Sequence, residues 1–281
     1  MPYYFISTDH FDDRDWFRDD EDFRTGMNQV AVADNDADVS ILAFVLMSNH
    51  VHFVVSADNA ETARKLMDRY KQLYSYYIYQ KYRTPEFLRR NPIHIREVFP
   101  ANESFERAVA YTLMNPVAAR LCAMPGAWRW GSGNCYFNDS LPRGAPLSTL
   151  SQRKCIRLCH SKRKLNPGLT FSEDGVILPQ SYISIETVEA IFRSIKRFQY
   201  FLNSSSAAKN RAEQTSSLYF RDQTIQAAVP EMKARICGEE EPQVEHWARM
   251  ARELRRRFNS DHKQIARVLG IRPETAWELI Q

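Results

Sequence analysis

Two histidines one residue apart are the first candidates for chemistry in this chain. They are His50 and His52, in the apolar run "MSNHVHFVV". Because side chains alternate between the two faces of a strand, both imidazoles should project from the same face, near enough to bind one cation. The motif alone is weak, since strand histidines with ordinary hydrogen-bond partners are the commoner case. A metal site here requires further ligands from elsewhere in the chain.

A tyrosine and an asparagine in "AYTLMNP" supply such groups. Tyr111 and Asn115 are four residues apart, so they share one face of the predicted helix. The amide oxygen of Asn115 could be the third ligand of a cation held by the two histidines. A phenol beside a divalent cation indicates phosphodiester transfer: the cation acts as a Lewis acid and the tyrosine oxygen attacks phosphorus. Such an exchange needs no ATP, and the absence of a Gly-x-x-x-x-Gly-Lys loop predicts no nucleotide cofactor.

The predicted elements place these residues on a small antiparallel sheet. The patterns predict strands over Tyr3 to Thr8, Val39 to Met47, His50 to Ser56 and Ile93 to Phe99, and helices over Asp19 to Ala33 and Ala60 to Tyr82. This βαββαβ order favours an α+β fold, a ferredoxin-like or RRM-like sheet with both helices on one face. A further helix from Asn102 should end or kink at Asn115, because Pro116 follows it.

Three strings together resemble a known family. "LAFVLMSNHVHFVV", "AYTLMNPVAARL" and "WRWGSGNCYF" are similar to the single-tyrosine HUH transposases with an IS200-like catalytic domain, most closely to the REP-associated tyrosine transposases. The resemblance covers residues 1 to about 137 and implies the HUH endonuclease fold. It implies that His50, His52 and Asn115 bind Mg²⁺ or Mn²⁺. It also implies that Tyr111 cleaves single-stranded DNA at or near hairpins, forms a 5′-phosphotyrosine and can rejoin strands.

Two other functions remain open at this stage. Tyr70 and Tyr74 form the Tyr-x-x-x-Tyr pair of a two-tyrosine Rep-like or relaxase-like nickase, although tyrosines at this spacing are more often part of a core. The chain could also be a domesticated, non-catalytic DNA- or RNA-binding regulator on the same fold. A covalent protein–DNA adduct would separate the enzyme from the regulator.

Basic and aromatic residues mark candidate DNA contacts. Residues 140–172 contain seven Lys or Arg and no acidic residue. Such a run could bind a polyanion or could equally be a solvated basic surface. Two tryptophans past the tyrosine helix could stack on bases or could close a core. The candidates are Arg96, Trp128, Arg129, Trp130, Arg153, Lys154, Arg157, Lys162, Arg163 and Lys164.

The pattern divides the chain into a catalytic domain (1–137), a basic connector with helices (138–238) and a helix-turn-helix-like region (239–281). The last part ends in "SDHKQIARVLGIRPETAWELIQ", where Gly270 marks the turn between two short helices. Lys263, Arg267 and Arg272 are its candidate duplex DNA contacts. A packing or dimerisation module is the alternative, and either a monomer or a homodimer is compatible with the sequence.

The composition is that of a soluble globular protein, with 44% hydrophobic and 26% charged residues and a net charge of +4. The longest clean apolar run is far too short to cross a membrane, so we expect no membrane partner. Five cysteines without a Cys-x-x-Cys pair favour reduced thiols. These features together predict a cytoplasmic protein, in the bacterial cytoplasm or nucleoid.

Overall fold

Four antiparallel strands form the central sheet of the computed structural model, which describes residues 1–11, 14–85, 87–88, 90–205, 220, 222–238 and 240–280. The strands are β1 (Tyr3–Thr8), β2 (Val39–Met47), β3 (His50–Ala57) and β4 (Ile93–Val98), in the spatial order β2-β3-β1-β4. This is the strand order of a ferredoxin-like sheet, and the predicted α+β fold is confirmed.

Two helices cover one face of this sheet, α1 (Asp20–Asn35) and α2 (Ala60–Tyr82). Asp19 caps α1 by accepting a hydrogen bond from the Asp22 amide at 2.8 Å. Lys81, near the end of α2, lies 2.7 Å from the Asp19 carboxylate and 2.9 Å from that of Asp22. The acidic run at the start of α1 therefore caps one helix and pairs with the other.

A third helix, α3 (Ser104–Ala118), crosses the opposite face of the sheet. Its Phe105 ring packs 4.8 Å from Tyr3 of β1, whereas Tyr70 of α2 packs against Phe53, which points the other way from β3. The prediction that this helix could end at Asn115 was wrong, since α3 continues to Ala118 with Pro116 inside it. Proline removes only one hydrogen-bond donor in this last turn, so the helix tolerates it.

The segment after α3 covers the outer edge of the sheet. The Leu46 amide donates to the Trp130 carbonyl at 2.9 Å, and the Ser132 amide donates to the Phe44 carbonyl at 3.0 Å. Gly131 lies between them, and a Cβ there would come within 2.8 Å of the Phe44 carbonyl oxygen. The motif "WRWGSG" is therefore a backbone contact that satisfies edge strand β2, and it requires glycine at this position.

Residues 138–205 pack onto the same core. They contain α4 (Gln152–Cys159), α5 (Ile185–Phe192), α6 (Ile195–Ser204) and a two-stranded sheet of β5 (Ala145–Pro146) and β6 (Thr170–Phe171). Buried Asn28 of α1 donates to the Leu158 carbonyl at 2.9 Å and accepts from the Ile177 amide at 2.7 Å. One buried apolar cluster runs from Tyr4 through Phe201.

The remaining helices surround a second apolar cluster, which runs from Ile225 to Ile280. They are α7 (Asp222–Cys237), α8 (Val244–Phe258), α9 (His262–Leu269) and α10 (Pro273–Leu279), with Gly270 in the left-handed conformation between the last two. The predicted helical C-terminal region is confirmed. The proposed boundaries after residues 137 and 238 stay a prediction. None of the described helices is long and apolar enough to cross a membrane.

Candidate active site and metal centre

The two histidines of the His-x-His motif lie on β3, which is an inner strand of the sheet. Every position of β3 is buried, because helices cover both faces. His50 and His52 are 4% and 3% exposed, and their ring centroids are 4.8 Å apart on the face that carries α3. The burial of both faces explains why β3 appears in the sequence as an apolar run with only three polar residues, His50, His52 and Ser56.

Both imidazoles are held in their neutral form. Burial lowers the pKa of His52 to about 3 and that of His50 well below its ordinary value, with neighbouring imidazoles adding to the effect. A neutral imidazole has one nitrogen with a free lone pair, which is the form that binds a metal ion. The sheet thus presents two imidazoles whose neutral form could bind a metal ion.

The hydrogen bonds around His50 indicate which of its nitrogens is available. Asn49 donates through Nδ2 to the Phe11 carbonyl at 2.7 Å, which turns its oxygen toward His50 Nδ1 at 2.9 Å. Asn115 donates through Nδ2 to the Tyr111 carbonyl at 2.9 Å, which turns its oxygen toward His50 Nε2 at 3.5 Å. If Nδ1 carries the proton, Nε2 and the Asn115 oxygen face each other as two acceptors. A cation between them removes this conflict.

His52 gives a second, independent indication. Both of its ring nitrogens are buried, and neither has a hydrogen-bond partner within the described part of the chain. An unsatisfied buried polar atom costs about 1–3 kcal/mol, so native structures keep few of them without a reason. Together with the Asn115 oxygen, the donor set fits a divalent cation.

Tyr111 projects from α3 over these rings. Its ring centroid lies 5.4 Å from that of His52 and 5.8 Å from that of Phe5, edge-on in both cases. The side chain is 37% exposed, so the phenol is open to solvent on one side. The four-residue spacing to Asn115 brings the phenol and the amide to the same end of the helix, above the two histidines.

A third histidine, which the sequence analysis missed, completes the cluster. The rings of His10 and His50 stack in parallel with centroids 3.7 Å apart. One nitrogen from each of His10, His50 and His52 lies within 4.8 Å of the others, so the three could hold a metal ion. In the folded sheet Ser7 pairs with His52, so the chain leaving β1 passes His50, and no local pattern in the sequence gives this register.

Beside Tyr111 the surface opens into a cleft of about 680 Å³. Its floor is β1 and β4, and its sides are α3 and α6. Of the predicted DNA contacts, Arg96 lies in this cleft, with its guanidinium carbon 5.5 Å from the centroid of the Phe5 ring.

The two predicted stacking tryptophans do not reach solvent. Trp128 and Trp130 are 5% and 1% exposed and pack against Phe23, so the core alternative describes them and the base-stacking hypothesis was wrong. Trp128 also donates to the Leu46 carbonyl at 3.0 Å. Arg129 between them is exposed and pairs with the Asp174 carboxylate.

The basic cluster is exposed but lies away from the histidines. Its members are Arg153, Lys154, Arg157, Lys162, Arg163 and Lys164. Helix α4, which carries the first three, packs on α1, on the other face of the sheet from Tyr111. Arg163 lies 3.3 Å from the carboxylate of Asp36, at the end of α1.

In the tail, one of the three predicted DNA contacts is engaged inside the protein. Arg267 lies 2.6 Å from Asp222 and 3.5 Å from Asp15, both nearly buried, so its role as a DNA contact was wrong. Its guanidinium neutralises two carboxylates that would otherwise face each other. Lys263 and Arg272 are exposed.

The alternative nucleophiles are not at the site. Tyr70 and Tyr74 are 1% and 0% exposed, on the helix that covers the opposite face of the sheet. Burial raises the pKa of both phenols well above the ordinary value. Tyr74 donates to the Trp16 carbonyl at 2.6 Å. These tyrosines therefore belong to the core.

Residues 15–91 match the family model of the IS200-like transposases. The predicted resemblance is confirmed over this segment. It includes both strand histidines and ends before Tyr111 and Asn115. The match supports an enzyme of the transposase kind.

One solved structure is also similar to this chain, that of a REP-associated tyrosine transposase bound to a REP hairpin. The two chains share 14% sequence identity. The match covers 47% of this chain and 77% of the other, with a TM-score of 0.34. No curated protein matches the chain.

Proposed function

We propose that this protein is a metal-dependent endonuclease and strand transferase for single-stranded DNA, with Tyr111 as its nucleophile. The observation that supports it best is the position of the exposed phenol, 5.4 Å between ring centroids from the buried His52 ring, whose nitrogens lack partners. In this chemistry the Tyr111 oxygen forms a bond to phosphorus as the bond to the 3′ oxygen breaks. The products are a 5′-phosphotyrosine and a 3′ hydroxyl, which takes up the proton.

His50, His52 and Asn115 are the proposed ligands of the divalent cation, with His10 as a further donor. When bound there, Mg²⁺ or Mn²⁺ would neutralise charge on the phosphate oxygens. Imidazole-rich sets without a carboxylate favour Mn²⁺ over Mg²⁺. Phe5, which packs on both His52 and Tyr111, keeps the phenol next to the ligands.

The hairpin and duplex contacts are proposals of the same kind. We assign the stem of a DNA hairpin to the exposed basic cluster on and after α4, and duplex DNA to Lys263 and Arg272 in the tail. If the cluster contacts phosphates, raising salt should weaken hairpin binding steeply, and neutralising two of its charges should flatten that dependence. An unchanged salt slope would contradict the assignment.

A covalent adduct tests the central proposal. A labelled single-stranded hairpin with flanks, incubated with the protein and Mn²⁺, should give a protein-linked band on a denaturing gel. Tyr111→Phe should abolish the band, because it removes the only atom that joins protein to DNA. Tyr76→Phe is the matched control, since Tyr76 is an exposed tyrosine of α2.

An adduct that persists in Tyr111→Phe would transfer the nucleophile to another residue. No adduct with any hairpin or cation, in a protein that still binds DNA, would favour the non-catalytic regulator. Mixing a His50→Ala protein with a Tyr111→Phe protein tests the assembly: restored activity would show that two copies share a site.

A further inference from the structure

The cleft beside Tyr111 is built from two regions that are far apart in the sequence. Ser7 of β1 and Arg96 of β4 line its floor, and Arg107 of α3 lines one side. The opposite wall is the end of α6, where Phe201 and Ser204 lie. Helix α6 follows the segment that matches the transposase family by about a hundred residues, yet it contributes to the surroundings of the tyrosine.

We propose that this cleft binds the single strand next to the scissile phosphodiester, with Arg96 and Arg107 contacting its phosphates and α6 as the outer wall. The proposal rests on the proposed function and adds its strand-binding subsite. Its volume of about 680 Å³ falls within the range of about 300–1,000 Å³ found for small-ligand pockets. Such a space suits one or two unstacked nucleotides.

Arg96 is placed to contact the strand close to the reaction centre. Its guanidinium lies over Phe5, the same ring that packs on His52 and Tyr111. Arg96 is exposed, and no carboxylate of the described residues lies within ion-pair distance of it. A cation one aromatic ring away from the nucleophile, without an acidic partner, is suited to bind a phosphate.

Arg107 stands at the opposite lip of the cleft. Its side chain is 68% exposed and lies 3.0 Å from the Glu103 carboxylate, one helical turn earlier. The guanidinium also lies 5.9 Å from the centroid of the Phe201 ring in α6. Glu103 and Phe201 keep the guanidinium near the rim of the cleft, and its exposed side is open to a phosphate.

Helix α6 is fixed against α3 by an ion pair. Arg197 lies 2.9 Å from the carboxylate of Glu106, which is 2% exposed, and 3.3 Å from that of Glu103. Phe201 is itself 2% exposed, beneath the guanidinium of Arg197 at 4.9 Å. The wall is therefore a packed part of the site and a stable surface for the strand.

Binding measured without cleavage tests this assignment. The probe is fluorescein-labelled dT12, titrated with Tyr111→Phe protein in EDTA, so neither metal nor chemistry contributes to the signal. Adding Arg96→Gln and Arg107→Gln together should weaken binding about tenfold or more at 0.15 M salt. The slope of log K against log salt should fall by about 1.4, since each phosphate contact on a single strand contributes about 0.7.

The matched control changes the same charge elsewhere. Arg64 and Lys65 are exposed on α2, away from the cleft. Arg64→Gln with Lys65→Gln should alter dT12 affinity less than twofold. Equal losses from the two pairs, or no loss from the cleft pair, would overturn the assignment of Arg96 and Arg107.

The α6 wall has its own test. Ser204→Glu places a negative charge in the cleft and should weaken dT12 binding about fivefold, whereas Asn203→Glu, at an exposed neighbouring position that does not line the cleft, should change it less than twofold. Equal effects would remove α6 from the site. A protein that binds dT12 through the cleft but forms no adduct in the wild type would contradict the proposed function and support the subsite.

Discussion

The surroundings of His52 distinguish a ligand-binding histidine from one that only packs in the core. A structural histidine in a sheet satisfies its nitrogens with hydrogen bonds, and the sequence could not distinguish that case from a ligand. Here both nitrogens are buried and lack partners among the described residues. The fold therefore retains a residue that destabilises it unless something binds, which is the pattern expected of a ligand rather than of a core side chain.

Replacing this histidine should stabilise the protein without metal. His52→Leu removes two unsatisfied polar atoms at similar volume, so the free energy of unfolding in EDTA should rise by about 1–2 kcal/mol. The same variant should lose the stabilisation that Mn²⁺ gives the wild type. Denaturant titrations in EDTA and in Mn²⁺ measure both effects. A His52→Leu protein that is less stable in EDTA and still gains from Mn²⁺ would contradict the ligand role.

His10 should behave differently, because it is exposed. His10→Ala should leave the free energy of unfolding in EDTA within about 0.5 kcal/mol of the wild type. If its ring is a metal donor, Mn²⁺ affinity measured by calorimetry should fall about tenfold. His246→Ala, in the tail, is the control and should leave that affinity unchanged.

Asp34 near the end of α1 should make stability depend on pH. Burial raises the pKa of its carboxyl to about 7, although the Ile41 amide donates to it and acts in the other direction. Since the pKa in the unfolded chain is about 4, the folded state holds the extra proton between pH 4 and 7, and stability falls as pH rises through that window.

Asp34→Asn should remove this dependence. The variant should equal the wild type below about pH 4 and exceed it by about 2 kcal/mol at pH 8, less than the full three-unit shift because the side chain is partly exposed. Urea titrations at several pH values measure the difference. A constant difference between wild type and variant across the range would contradict the assignment.

At the scale of elements, α1 and α2 approach each other at a glycine. A Cβ on Gly26 would lie 2.4 Å from a ring carbon of Phe17 and 3.1 Å from the Tyr70 hydroxyl. Gly26→Ala should therefore destabilise the protein by about 1–2 kcal/mol net, because overpacking outweighs the better helix propensity of alanine. Thermal melts of Gly26→Ala, and of Gly26→Ala with Phe17→Leu, test it. The second variant makes room and should recover part of the loss; no recovery would place the strain elsewhere.

The sequence predicted the helices and strands well, because their formation depends on residues close together in the chain. The alternation and caps give β1, β2 and α2 with their observed bounds, since side-chain period and capping act within a few residues. The end of α3 was misplaced because Pro116 falls in a last turn, where a missing donor costs little. The helix nevertheless carries Tyr111 and Asn115 on one face, as their spacing predicted.

Contacts between distant segments were beyond the sequence. Trp128 and Trp130 are core residues because their segment pairs with β2, and no local pattern indicates that pairing. The sequence around Arg267 does not show whether its side chain is exposed or buried. Only the fold brings Asp15 next to it. His10 required strand register. The pair His50 and His52 and the helix pair Tyr111 and Asn115 were found because each lies within one element.

At the scale of the whole molecule, one buried charge cluster joins the tail to the segment between β1 and α1. Asp15 follows β1, Asp222 begins α7, and Arg267 of α9 lies between them. Burial raises the pKa of the Asp15 carboxyl well above its ordinary value, and the Asp222 charge adds to this, while Arg267 opposes it. The guanidinium is thus what allows two buried carboxylates to stay together.

Removing that guanidinium should release the tail from the segment that carries Asp15. Arg267→Met leaves Asp15 and Asp222 facing each other without the guanidinium between them, which should cost about 3 kcal/mol at pH 7.5. The loss should shrink toward pH 5: the folded state of the variant holds a proton on the pair at a pH where the unfolded chain does not, so stability rises as pH falls. Hydrogen exchange of the α9 amides follows the docking directly.

A second substitution, at Asp15, tests whether the repulsion between the two carboxylates causes the loss of docking. Asp15→Asn in the Arg267→Met background removes one of the two facing charges and should restore most of the α9 protection at pH 7.5. If docking depended on apolar packing alone, Arg267→Met would show wild-type exchange at both pH values, and the added Asp15→Asn would change nothing. Restoration by the second substitution would show that this three-residue cluster holds the tail against the segment between β1 and α1.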